Sequence, residues 1–128
     1  MKPDRDRPLW LQLAHAFKFA GNGLVLLSRD RNMRIHVAAT VLVVVAGAWL
    51  RVTPMEWVAL VFAITLVLAF EAMNTALELT VDLASPDVHP VAGQAKDLSA
   101  AAVTIAASGA AVVGVIILGP RLWAQLAF

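Results

Sequence analysis

The run Trp57-Val58-Ala59-Leu60-Val61-Phe62-Ala63-Ile64-Thr65-Leu66-Val67-Leu68-Ala69-Phe70 carries no charge. It leads straight into Glu71-Ala72-Met73-Asn74-Thr75-Ala76-Leu77-Glu78-Leu79-Thr80-Val81-Asp82. A helix that spans the hydrocarbon core needs roughly 17–25 mostly apolar residues. The quoted stretch therefore predicts a span over about 57–81 whose last turns turn polar. Two further stretches match it. Ile35 to Leu50 is uncharged but short, so Met33 and a snorkelling Arg34 extend it to a span over about 33–50. Leu98 to Gly119 gives the third, over about 98–119.

Composition agrees with three spans. Hydrophobic residues make up 60% of the 128 residues and charged ones 15%, against roughly 45–50% and 25% in soluble domains. So small a chain has too little interior to bury that much apolar side chain in water. The net charge of +1 excludes an electrostatic nucleic-acid partner. Without cysteine, disulfides and thiolate metal sites are excluded as well. The expectation is an all-α integral membrane protein, one domain over 1–128, with no cleaved signal peptide.

Seven of the ten Lys and Arg residues precede the first span: Lys2, Arg5, Arg7, Lys18, Arg29, Arg31 and Arg34. Positive charge marks the cytoplasmic side. This predicts a multi-pass protein of the bacterial inner (cytoplasmic) membrane with its N-terminus inside. The Arg51–Glu56 loop then lies outside, the Asp82–Lys96 loop inside and the C-terminus outside. Residues 9–29 read as an amphipathic surface helix, with Trp10, Leu13, Phe17, Leu24 and Leu27 on its apolar face and Gln12, His15, Lys18 and Asn22 on its polar stripe. Trp10, Trp49, Trp57 and Trp123 fall near the predicted interfaces and read as anchors. His36 is expected at headgroup level. Ala102, Ala106, Ala110 and Gly114, spaced by four, form a small-residue face suited to close helix packing, within the chain or between copies.

Glu71, Asn74, Glu78 and Asp82 stand at i, i+3, i+7 and i+11, within an arc of about 80° on a helix. An acid inside a membrane span is costly, and such residues are functional by default. A solvated helix face would suit Asp82 and part of Glu78, and it suits Glu71 poorly. Clustered carboxylates need a counter-charge. Mg²⁺ is commonly held by one or two carboxylates plus substrate phosphates. Lys96-Asp97 reads as the opening of the third helix, where a Lys point charge and helix N-terminal N–H groups could meet an anion. An acid face beside a phosphate corner suggests phosphoryl transfer to a lipid. Taken alone, His89 reads as a solvent-exposed loop residue.

The block Glu71-x-x-Asn74-x-x-x-Glu78-x-x-x-Asp82, then His89, then Ala95-Lys96-Asp97-Leu98-Ser99, closely resembles the prokaryotic diacylglycerol kinase family, which includes undecaprenol kinases. Arg31-Asn32-Met33-Arg34-Ile35-His36 and Glu56-Trp57 are more similar to the undecaprenol kinase branch. The resemblance implies a homotrimer with active sites shared between protomers, using ATP and Mg²⁺ to phosphorylate the hydroxyl of a lipid alcohol, undecaprenol or diacylglycerol. Carried over residue by residue, Glu71 is the general base and Asn74 orients the site. Glu78 is a metal-linked carboxylate near the ATP phosphates, and Asp82 a supporting acid. Asp87, Val88 and His89 match a nucleotide-contacting loop, and Lys96 and Asp97 match phosphate and nucleotide contacts. The second metal-linked acid of the family is a Glu on the surface helix; here Asp30 takes its place, one methylene shorter.

Two other readings compete. A small cation- or proton-coupled transporter could use Glu71, although transporters more often place acids near the midplane. A structural subunit without activity would leave Glu71 unexplained.

Overall fold

The computed structural model describes residues 8–127. Its four helices are α1 (Leu9–Leu27), α2 (Arg31–Trp49), α3 (Pro54–Ala84) and α4 (Pro90–Leu126). Three of them, α2 to α4, are long and apolar enough to cross a membrane. Lys2, Arg5 and Arg7, which enter the orientation argument, lie outside the described residues.

Helix α1 runs unbroken through Gly21 and Gly23 and buries no residue. Trp10, Phe17 and Leu24 are all exposed, as an interfacial helix leaves them when only lipid covers its apolar face. Asp30 then starts α2. Its side chain accepts the Met33 N–H at 2.8 Å, which satisfies one of the unpaired donors of the first turn. Asp30 is thus an N-cap at the α1–α2 corner. This corrects its placement on the surface helix, and it shows that Asp30 does more than offset Arg29 and Arg31.

The α2–α3 connection is tightly specified. Arg51 N–H bonds the Ala48 carbonyl and Val52 N–H bonds the Gly47 carbonyl, the double closure that ends many helices. The geometry puts Arg51 at φ 53°, where glycine is the usual occupant. Helix α3 opens three residues before the expected Trp57, because Thr53 and Glu56 form a reciprocal capping box with Pro54 between them. Thr53 N–H donates to Glu56 Oε2 at 2.6 Å.

The largest departure from expectation is α4. It begins at Pro90, so Lys96-Asp97 does not open it. His89 caps it, accepting the Val91 N–H on Nδ1 at 3.2 Å, and Pro90 occupies a first-turn position that needs no N–H. The early turns contain Gly93, Gln94, Lys96 and Asp97, so apolar content could not reveal them. At its other end α4 continues through Pro120 to Leu126, seven residues past the expected end. Next to that proline, Arg121 Nη1 donates to the Ile117 carbonyl at 3.3 Å.

Packing is densest between α3 and α4. Val52, Leu60 and Ile117 form the buried centre, with Val43, Trp57, Val113 and Leu118 against it. Trp57 belongs to this core: a Cβ on Gly47 would lie 2.9 Å from its ring. That corrects its reading as an interfacial anchor, whereas Trp10, Trp49 and Trp123 do face outward. Ala106 is buried and Ala102, Ala110 and Gly114 are half-buried, so the small-residue stripe faces into the chain's own bundle. At 1.5 Å per residue, α3 and α4 measure about 46 and 55 Å. Both outrun the ~30 Å hydrocarbon core, and their polar ends project beyond α2.

Candidate active site

The polar face of α3 does what its spacing implies. Glu71 and Asn74 are buried, at 2% and 5% exposure. Asn74 Nδ2 donates to Glu78 Oε1 at 3.1 Å, one helical turn on. Ser99 of α4 donates from its hydroxyl to Asn74 Oδ1 at 2.5 Å. The same hydroxyl also lies 2.9 Å from the Lys96 carbonyl. With an O–H donor on one side and a carboxylate on the other, only one orientation of the Asn74 amide satisfies both.

Glu71 looks the other way, toward α2. Its Oε2 lies 3.8 Å from His36 Nε2. Asn32, Asp30 and Glu78 are also near enough to act on its carboxyl group. Yet no donor reaches Oε1, which is buried without a hydrogen-bond partner. A buried carboxylate oxygen left unpaired is costly, and in native proteins such an atom calls for an explanation. Glu71 opens onto a small polar pocket of about 210 Å³ that also includes Asn32, Ile35, His36, Asn74 and Thr104. Beside it runs an apolar groove of about 480 Å³ between α2, α3 and α4, lined by Val43, Leu60, Val67, Ala110, Gly114 and Leu118 among others. His36 borders both.

The remaining sequence candidates fall into two further groups. Lys96 Nζ is paired with Asp82 where both side chains are substantially exposed; such pairs add little stability. Asp97 is exposed on the same helix. Asp87, Val88 and His89 are all exposed on the α3–α4 connection, where Ser85 Oγ donates to the Asp87 carbonyl at 3.1 Å. His89 is more than a loop histidine, since its Nδ1 is spent on the α4 cap. The backbone donors of the α4 N-terminus therefore begin at Val91, more than one turn before Lys96. The anion corner read from the sequence is thereby reduced to Lys96 itself.

Sequence reasoning missed three residues. Asn32 and His36 sit four apart and so share a face of α2 toward Glu71. A histidine between Ile35 and Val37 was a visible signal, but it fitted a headgroup position equally well. Ser99 stood inside the quoted Lys96-Asp97-Leu98-Ser99 block, and nothing short of the α3–α4 register shows that it meets Asn74. Among the described residues no three His, Cys, Asp or Glu side chains converge as a metal-binding group.

These features define a membrane-embedded carboxylate site beside an apolar groove. A model of the prokaryotic diacylglycerol kinase family matches residues 18–118. The chain is 35% identical over 108 residues to an undecaprenol kinase of Bacillus subtilis, covering 84% of this chain and 88% of that protein. It is 35% identical over 130 residues to a diacylglycerol kinase of Synechocystis, covering 94% and 74%. Against a diacylglycerol kinase of Escherichia coli the figure is 38% over 77 residues, covering 60% and 63%. The chain belongs to the prokaryotic diacylglycerol kinase family. It is a multi-pass membrane lipid kinase, as the motif block implied, and the transporter and inactive-subunit readings fall.

Proposed function

We propose that this kinase transfers the γ-phosphoryl group of ATP to the terminal hydroxyl of a polyprenol of the undecaprenol kind. The observation that carries the reading is the unpaired, buried Glu71 Oε1 where a polar pocket meets an apolar groove. The acceptor chain lies in the groove and brings its hydroxyl to Glu71. Glu71 takes the hydroxyl proton, the freed oxygen bonds to the γ-phosphorus, and the bond from that phosphorus to the ADP oxygen breaks. A positioned general base contributes typically 10²–10⁴-fold. Asn74, held by Ser99, orients Glu78.

Asp30 and Glu78 would hold a Mg²⁺ ion. One or two carboxylates plus substrate phosphates is its usual protein setting; Asp30 stands at the start of α2 and Glu78 is held by Asn74 on α3. Asp30 spends Oδ1 on its cap and keeps Oδ2 for the ion. When bound, the metal neutralises phosphate charge. Lys96 exchanges Asp82 for phosphate oxygens, while Asp97, Asp87, Val88 and His89 contact the nucleotide. The whole chain, 1–128, acts as one membrane domain in the bacterial inner membrane, its N-terminus and site on the cytoplasmic side. It works as a homotrimer with shared sites.

The arginine-to-histidine stretch Arg31–His36, similar to the undecaprenol kinase branch, favours undecaprenol over diacylglycerol. The test gives purified protein labelled ATP with undecaprenol or diacylglycerol in mixed micelles. Undecaprenol should show the higher kcat/KM. A preference for diacylglycerol reverses the acceptor assignment, and no labelled lipid of either kind overturns the reading.

A further inference from the structure

We infer that His36 is the positioning residue of Glu71: it holds Oε2 and so presents Oε1 to the acceptor hydroxyl. The inference rests on the proposed role of Glu71 as base. Three observations carry it. His36 Nε2 is 3.8 Å from Oε2. The other oxygen of the same carboxylate is buried and unpaired. His36 also forms part of the wall of both the polar pocket and the apolar groove, so any hydroxyl that passes from one to the other goes by its ring.

At 3.8 Å the contact is too long for a hydrogen bond. Contacts of catalytic groups are often long without substrate and tighten in the reacting complex. A carboxylate free to rotate would offer its two oxygens interchangeably. With one oxygen drawn to His36, the other is the atom left for a proton. Asp30 and Glu78 also act on Glu71, but both are acidic and repel it, so they cannot supply this hold. Asn32, one turn earlier on the same face of α2, is a second hydrogen-bonding neighbour of this carboxyl group, but of the two only His36 also lines the apolar groove.

The role separates from simple packing by three substitutions. His36→Ala removes donor and bulk, His36→Leu keeps bulk without a donor, and His36→Gln keeps an N–H donor. Wild type and variants are assayed in micelles with ATP and the better lipid acceptor, alongside Glu71→Gln and the double variant His36→Ala/Glu71→Gln. The expected result is a kcat lower by roughly tenfold to a hundredfold for Ala and Leu, the scale of a misplaced catalytic group. The KM for ATP should stay unchanged and Gln should recover most of the rate. In the Glu71→Gln background, His36→Ala should cost nothing further, because a residue that acts through another is non-additive with it. Wild-type kcat in His36→Ala, recovery by Leu but not by Gln, or losses that multiply in the double variant would each overturn the inference while leaving the kinase reading intact. A wild-type protein inactive on every lipid alcohol overturns both.

Discussion

Asp30 has one observed duty and one proposed duty, which substitutions can separate. Its side chain caps α2 through the Met33 N–H, and its second oxygen is the proposed Mg²⁺ ligand. Asn caps a helix about as well as Asp but brings no negative charge. Asp30→Asn should therefore keep the thermal midpoint within a few degrees while activity is largely lost across a Mg²⁺ series. Asp30→Glu keeps the charge but is not a favoured cap, so it should lose about 1 kcal/mol of stability and shift the Mg²⁺ midpoint. Paired melting curves and Mg²⁺ titrations check both halves. Full activity in Asp30→Asn would return this residue to capping alone. Ser99 tests the opposite side of the site. Ser99→Ala leaves the buried Asn74 Oδ1 without its donor, a loss of about 1–3 kcal/mol. It also frees the amide to turn, so the Mg²⁺ midpoint should move through Glu78. An unmoved midpoint at full rate would make Ser99 a packing residue. Of this site, the α3 face was legible because helical spacing alone places Glu71, Asn74 and Glu78 together. Ser99 and His36 were not, because their roles depend on which turn of α4 or α2 lies opposite, and that is set by tertiary packing.

At the scale of elements, apolar content located all three spans but misjudged where α4 begins and ends. Hydropathy reports which residues tolerate lipid, and α4 continues where its residues do not need lipid. Its true start was written in cap chemistry instead: a His followed by Pro, at His89-Pro90. The same holds at Thr53-Pro54-Met55-Glu56, where the capping box was present in the sequence three residues ahead of the apolar run. Contact between elements is less legible still. Gly47 gives no sign in the sequence that it faces Trp57, yet a methyl there would come within 2.9 Å of the ring. Gly47→Ala should destabilise the α2–α3 hairpin by about 1–3 kcal/mol, the usual cost of overpacking. It gains back part of that through better helix propensity. Thermal unfolding in detergent measures the balance, and adding Trp57→Leu should relieve the clash. A Gly47→Ala protein as stable as wild type would show that the indole can move aside.

Across the whole molecule, the two ends of the bundle differ in chemistry. One end gathers Arg31, Arg34, His36, Glu71, Asp82 and Lys96, and the α3–α4 connection closes it. The opposite end has Arg51, the Thr53–Glu56 box and the Glu56–Arg121 pair, whose Nη1 and Oε1 are 2.6 Å apart. Because α2, α3 and α4 alternate in direction, a single orientation fixes which end meets the cytoplasm. Among the described residues, Lys18, Arg29, Arg31, Arg34 and Lys96 belong to the first end or the surface helix, against Arg51 and Arg121 at the second. Positive charge on short flanks favours the cytoplasm, and ATP is available there. The chain has no cysteine, so single introduced thiols report sidedness without background. Val88, fully exposed on the α3–α4 connection, and Thr53, exposed at the opposite end, are suitable positions. In inverted inner-membrane vesicles, Val88→Cys should react with a membrane-impermeant maleimide and Thr53→Cys should not; in right-side-out vesicles the pattern should reverse. Labelling of Val88→Cys from the outer face would place the carboxylate site away from cytoplasmic ATP. The proposed orientation would then fail, however well the site residues are arranged.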